Sequence, residues 1–258
     1  MSARYVALGS SMAAGPGIPP RAPGSPWAAA RSARNYPHLV AESLGLDLFD
    51  VTYSGATTAN VLYESQWGAP PQVDALDGTE TLVTVTIGGN DAGYVPMLFA
   101  AGLPGLTRSI PFLGARLRDL LDPAARERAL GEVGGALRKV GQQLRRRSPR
   151  ARVLFVDYLT LLPPAGTPAP PLREADVALG RRIATTLEEL TAEAAAATGC
   201  ALVPAAEASR DHHAWSAVPW TTRLGLPVPG RPAPLHPNGK GMRAVADMVV
   251  ATVAGSIN

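Results

Sequence analysis

The chain has one cysteine, Cys200, among 258 residues. A lone thiol can neither close an internal disulfide nor build a thiolate metal centre, so a cystine-stapled scaffold and a zinc ribbon are both excluded. In the small, apolar stretch 198–203 it reads as a buried hydrophobe, and a reducing compartment is the expectation. Long hydrophobic runs are missing too. Apolar residues make up 46% of the chain, yet no run approaches the roughly 18 residues of a membrane span, and no integral membrane segment is expected. No basic segment followed by an apolar core opens the chain, since its first apolar run is short and reads as a strand; a cytoplasmic location is the expectation. Charge of one sign is scarce: 24 Lys and Arg face 21 Asp and Glu, a net +3 that argues against nucleic acid as a partner. The densest basic cluster, 145–152, lacks interleaved aromatics and falls where a helix should end, where cations meet the carbonyl end of the dipole. Histidine is rare, at four residues. His212 and His213 are neighbours that point to opposite sides of an extended loop, His38 lies in a helical stretch, and no spacing matches a metal site, so no metal is expected.

What the chain does have is punctuation: 25 prolines and 26 glycines separate an alternation of short β-rich and longer helical stretches. Apolar runs at 5–8, 46–53, 81–87, 153–156 and 201–203 read as strands, the third of them β-branched almost throughout. A helical stretch is expected over 27–44, its main part starting near Asn35 with Pro37 in the first turn. Another spans 123–147, where Leu130, Val133, Leu137, Val140 and Leu144 form a three-and-four-residue stripe, and a third spans 173–197. The stretch 61–76 reads as irregular, leading towards a short helix. The apolar region 94–121, broken by Pro96, Pro104 and Pro111, is unlike a long core helix. Its Val95, Met97, Leu98, Phe99, Leu103, Ile110, Phe112 and Leu113 either cover the sheet or line an acyl-binding surface. A stiff proline-rich loop occupies 159–171. Residues 205–234 hold no convincing element, a loop longer than compact domains tolerate without a function, and a last helix covers 238–253. The length fits one domain, 1–258. The alternation gives an α/β fold: a three-layer α/β/α sandwich with a doubly wound, mostly parallel sheet of about five strands.

Three of these strands end in small polar turns: Gly9-Ser10-Ser11, Ser54-Gly55-Ala56 and Gly88-Gly89-Asn90-Asp91. In a doubly wound sheet the carboxyl ends of the strands share one edge where ligands bind, so Ser11, Gly55 and Asn90 should converge there. His236, in Leu235-His236-Pro237-Asn238 ahead of the last helix, can reach the same edge. Alone, Ser11 reads first as a turn residue or helix cap. A nucleophile also needs a base and donors for an oxyanion, and the other three residues are of the types that supply them.

Together these blocks resemble the SGNH, or GDSL, hydrolase family along nearly the whole chain. The combination of 88–91 after a β-branched strand with His236-Pro237-Asn238 before the final helix carries the resemblance; no single block would. It implies the flavodoxin-like form of the fold and ester hydrolysis without a cofactor. It also implies roles: Ser11 as nucleophile, the Gly55 N–H and the Asn90 side-chain amide as oxyanion donors, and His236 as general base. The expected substrate is a small-molecule or lipid ester cleaved through an acyl-enzyme. The alternatives are a lipase or phospholipase acting on longer acyl chains, and a catalytically silent SGNH-fold binding protein. A nucleotide-binding flavodoxin-like protein is disfavoured, because the first turn lacks phosphate-cradling glycines.

Two positions depart from the family pattern. Ser10 stands where an Asp is common, a mild change, because a hydroxyl can take over part of that residue's hydrogen bonding. Ala233 stands three residues before His236, where an Asp usually orients the imidazole, and loss of such a carboxylate from a trypsin-type triad costs about 10⁴ in rate. Some members of the family work with a Ser-His dyad in which a backbone carbonyl receives the imidazole Nδ1–H, and the Ala233 carbonyl is the expected acceptor here. Asp157, Glu207 and Asp211 are the acids that could substitute. The dyad reading predicts that Asp157→Asn, Glu207→Gln and Asp211→Asn each keep most of the turnover in an ester-hydrolysis assay. A roughly thousandfold loss at one of them would identify a third catalytic group.

Overall fold

Five strands lie side by side in one wholly parallel sheet of order β2-β1-β3-β4-β5 in the computed structural model, which describes residues 3–103 and 113–255. They are β1 (Arg4–Gly9), β2 (Asp47–Asp50), β3 (Leu82–Thr86), β4 (Arg152–Val156) and β5 (Ala201–Val203). Strand side chains alternate between faces, and the sequence fills both. Val6, Leu8, Val83, Val85, Val153 and Phe155 share one core with α3 (Thr58–Leu62), α4 (Tyr94–Gly102), α6 (Pro123–Arg147) and α7 (Glu174–Ala197). Tyr5, Ala7, Leu82, Leu154, Val156 and Val203 share the other with α2 (Tyr36–Leu44) and α9 (Gly239–Ala254). The chain steps from β1 to β2 on one side and returns to place β3 on the other. The loops leaving β1 and β3 therefore part at the carboxyl edge and open a crevice.

The stripe expected on α6 is buried along its length, from Leu130 to Leu144. Asp122 caps that helix by accepting the Ala124 N–H at 3.1 Å, and Pro123 occupies the first position, where its missing N–H costs nothing. The basic cluster marks the other end. Arg145 donates to the Ala151 carbonyl at 2.8 Å and Arg147 pairs with Asp74 at 3.0 Å, so these cations close a helix terminus.

Other stretches differ from expectation. The region 27–44 is not one helix: Trp27–Ala29 makes a single 3₁₀ turn that stops at Ala30 in the left-handed region, and α2 begins afresh after Asn35, whose side chain accepts the His38 N–H at 3.1 Å. β2 is shorter than 46–53, although Val51 and Tyr53 still donate to Ala7 and Gly9 of β1, each at 2.9 Å. The stretch 61–76 contains the end of α3 and a 3₁₀ turn at Gln72–Ala75. The region 94–121 carries α4 and α5 (Leu113–Leu121), with Pro96 tolerated in a first turn. Met97 and Leu98 are buried and Val95 and Phe99 pack partly buried on the same core, so these residues cover the sheet; Ile110, Phe112 and the Leu113 side chain lie outside the described residues. The long loop opens with α8 (Ala205–Ala208) and a 3₁₀ turn at Arg210–His212. Cys200 is half-buried rather than buried, its Sγ 3.3 Å from the Thr198 hydroxyl.

Gly9 closes β1 with φ +139°, and a Cβ there would lie 2.5 Å from the Thr86 carbonyl oxygen. Gly9→Ala is expected to cost at least about 2 kcal/mol in urea unfolding. An unchanged midpoint would contradict this close approach of β1 to β3.

Candidate active site

Beyond Gly9 the chain turns at Ser10, which is extended and donates its N–H to Thr86 O at 2.9 Å. Ser11 is then the first residue of a one-turn helix, α1 (Ser11–Ala14), and a first helical N–H has no acceptor within its own helix. Gln72 secures the turn from below: its buried amide accepts the Gly9 N–H at 2.7 Å and donates to Gly9 O at 3.1 Å. Ser10 Oγ lies 3.3 Å from the Tyr158 hydroxyl, which accepts the Gly89 N–H at 2.9 Å. One phenol thus joins the turns that follow β1, β3 and β4. Burial pushes its pKa up to about 12, so the network stays neutral.

His236 reaches this edge from the far end of the chain. Its Nε2 lies 2.8 Å from Ser11 Oγ and its Nδ1 2.7 Å from the Pro234 carbonyl oxygen. A carbonyl can only accept, so the ring proton sits on Nδ1 and Nε2 accepts from the Ser11 hydroxyl. The carbonyl is Pro234's, not that of Ala233, which is taken by the Thr222 hydroxyl at 2.6 Å. The reason is Leu235: its φ of +58° curls the chain so that the carbonyl before it faces the ring after it. That backbone is uncommon for leucine, and the fully buried side chain holds it in place. Thr222, from the long loop, donates its N–H to His236 O at 2.9 Å and accepts the Leu235 N–H on its carbonyl at 3.2 Å. Burial drives the His236 pKa below its usual 6.5, partly countered by the Pro234 hydrogen bond, so the imidazole is neutral at pH 7.

Gly55 sits exposed in a turn with φ +81°, closed by the Ala56 N–H on Tyr53 O at 3.0 Å. Asn90 donates one amide N–H to Ala56 O at 2.8 Å, which ties the turn after β3 to the turn after β2 and leaves its second N–H for another acceptor. Among the described residues the Gly55 N–H meets no acceptor. Asp91 anchors the arrangement by accepting the Thr58 N–H at 3.1 Å and the Thr58 hydroxyl at 2.5 Å. All four residues singled out in the sequence therefore belong to adjoining turns at one sheet edge.

Among the described residues no carboxylate bonds the His236 ring. Asp157 Oδ1 accepts the Ala206 N–H at 2.8 Å at the start of α8, and burial, reinforced by the charge of Glu188, pushes its carboxyl up to about 7. Glu207 and Asp211 are exposed. The other histidines are structural: His212 stacks on Trp220 with ring centroids 4.0 Å apart, and His38 Nδ1 lies 2.7 Å from its cap Asn35. Among the described residues no His, Cys, Asp and Glu side chains gather as a metal site. Gln72, Tyr158, Thr222 and Leu235 all shape the site, and no motif in the sequence marks them.

A parallel sheet of this order, with a hydrogen-bonded serine–histidine pair at its carboxyl edge, defines a three-layer α/β protein of hydrolase type. The chain belongs to the GDSL-like Lipase/Acylhydrolase family, whose model matches residues 7–244. It is 33% identical over 249 residues to Lipase 2 of Streptomyces coelicolor, covering 94% of this chain and 83% of that one. Among solved structures, the extracellular lipase of Streptomyces rimosus matches with a TM-score of 0.78 at 28% identity, over 98% of this chain and all 100% of the other. Phospholipase A1 from Streptomyces albidoflavus NA297 matches with a TM-score of 0.75 at 25% identity, over 98% and 99%. The protein is thus a lipase/esterase-type hydrolase of the SGNH, or GDSL, family. Thr222→Val removes the hydroxyl that binds both Ala233 O and the His236 N–H, and is expected to lower kcat on the order of tenfold with KM little changed. An unaltered kcat would show that the long loop does not position the histidine.

Proposed function

We propose that the protein cleaves carboxylic esters through an acyl-enzyme formed on Ser11, with His236 as the base. The observation that carries this reading is the unbroken line Ser11 Oγ, His236 Nε2, His236 Nδ1, Pro234 O, with contacts of 2.8 Å and 2.7 Å. Ser11 Oγ attacks the ester carbonyl carbon while its proton passes to Nε2. The tetrahedral oxyanion is met by the N–H groups of Ser11 and Gly55 and the second Asn90 amide N–H. Collapse breaks the bond to the alcohol oxygen, which takes the proton from His236 as it leaves. Water then repeats the sequence and frees the acid. The Pro234 carbonyl fixes the tautomer without adding a negative charge, so the imidazolium formed in each step is stabilised less than in a triad.

The silent-binding alternative is weakened by that same line of contacts, which a fold kept only for binding does not need. A preference for longer acyl chains draws support from the relatives named lipase and phospholipase A1. Chain-length profiling of p-nitrophenyl esters separates it from a short-chain esterase.

Ser11→Ala is expected to abolish hydrolysis of p-nitrophenyl esters and labelling by a fluorophosphonate; a variant that still turned over would overturn the assignment. The pH profile gives a second test. Because burial lowers the His236 pKa, kcat/KM should be flat near neutrality and fall as pH drops through a value below 6.5. An acid limb centred above 6.5 would point to a carboxylate behind the ring and contradict the dyad.

A further inference from the structure

Large apolar side chains stand exposed around the mouth of this site. Trp27 is 83% exposed, Trp67 85% and Leu226 87%. Each belongs to a segment bonded to the catalytic turns. The Trp27–Ala29 turn accepts on its Ala29 carbonyl both the N–H and the hydroxyl of Ser54, the residue before Gly55, at 3.2 and 2.9 Å. Trp67 follows Gln66, whose amide donates to Ser54 O at 2.9 Å, and Trp67 itself is held at φ +50°, an uncommon backbone for a large residue. Leu226 rides the loop between Thr222 and His236. That loop docks on the first one, with the Ala233 N–H on Pro16 O at 2.9 Å, and Ile18, Arg21, Trp27 and Pro229 line the groove between them.

The charge of these two segments is one-sided. Residues 10–41 and 212–246, which carry Ser11 and His236, contain no Asp or Glu, but hold Arg21, Arg31, Arg34, Arg223, Arg231, Lys240 and Arg243. Arg31 faces the buried Asp50 at 3.5 Å, whereas the exposed Arg21 lies over the Trp27 ring at 5.0 Å. Glu64, exposed three residues before Trp67, keeps that third segment from sharing the positive charge.

We propose that this apolar, cationic rim docks the protein on an anionic phospholipid surface with Ser11 facing the lipid. Exposed indoles and leucines enter the boundary between headgroups and acyl chains, while neighbouring arginines meet the phosphates. A second copy is a poor occupant, because a two-fold contact through this face sets Arg21 and Arg231 against their own kind. A protein partner would cover the opening that an ester must enter, whereas a lipid surface presents the ester itself. The proposal rests on the ester-hydrolase reading for the identity of the substrate and not for the docking.

The test is sedimentation of Ser11→Ala protein with vesicles of phosphatidylcholine mixed with phosphatidylglycerol, and of phosphatidylcholine alone. Binding to the mixed vesicles is expected, weakening as salt is raised. Trp27→Ser with Leu226→Ser should weaken it about tenfold, and Arg21→Gln with Arg231→Gln about fivefold on mixed vesicles only. The same changes in protein with Ser11 intact should leave turnover of a soluble short ester unchanged, which shows that they fold. Absence of binding to mixed vesicles, or equal binding by the Trp27/Leu226 variant, overturns the proposal; so does a dimer through this face in place of vesicle binding. Turnover is read separately: vesicle binding by a protein inert towards esters would overturn the hydrolase reading and uphold this one, and hydrolysis without binding would do the reverse.

Discussion

One hydrogen bond, 2.8 Å between the Ser11 hydroxyl and Nε2 of His236, joins residues 225 positions apart and sets what the surrounding backbone must do. At the serine end, the strand has to finish close against β3, and glycine at position 9 is the residue that permits it. At the histidine end, the chain has to reverse within one residue, and Leu235 does this in the left-handed region. Such a backbone costs a leucine about 1–3 kcal/mol. Burying its side chain returns about 2 kcal/mol, so packing and strain nearly offset each other and the turn is kept where it serves the ring. The long loop adds the third support through Thr222.

The groups that bond this pair directly are neutral, whereas Asp91, in the turn after β3, places its carboxyl on Thr58. Where a carboxylate is common beside the nucleophile, Ser10 and Tyr158 supply hydroxyls, and where a carboxylate is common behind the imidazole, a peptide carbonyl stands instead. The buried carboxyl nearest in sequence to this network, Asp157, turns its Oδ1 to the first turn of α8. With no anion bonded to the His236 ring among the described residues, burial governs the histidine and keeps it unprotonated at neutral pH. That favours its readiness to accept a proton. The proposed mechanism then leans more heavily on the three N–H donors to stabilise developing charge.

The five strands and the long helices were legible because the strands are short apolar runs and the helices carry apolar stripes that the core uses directly, as Leu82 to Thr86 and the Leu130 to Leu144 stripe show. The four candidate site residues stand out through the resemblance of their combined blocks to the SGNH family; alone, Ser11 reads as a turn residue or helix cap. The supports of these residues were not legible. Gln72 meets Gly9 and Tyr158 meets Ser10 and Gly89 through contacts that no local pattern encodes. The choice of Pro234 over Ala233 turns on one left-handed residue, and a leucine gives no sign of that conformation in a sequence. The break of 27–44 at Ala30 has the same origin.

The proposed chemistry depends on which ring nitrogen of His236 carries the proton. Nitrogen-15 NMR of histidine-labelled protein at pH 7 reads this directly. A neutral ring protonated at Nδ1, with Nε2 bare, is the predicted result. A proton on Nε2, or a charged imidazolium at that pH, would contradict the carbonyl-oriented base on which the proposed chemistry rests.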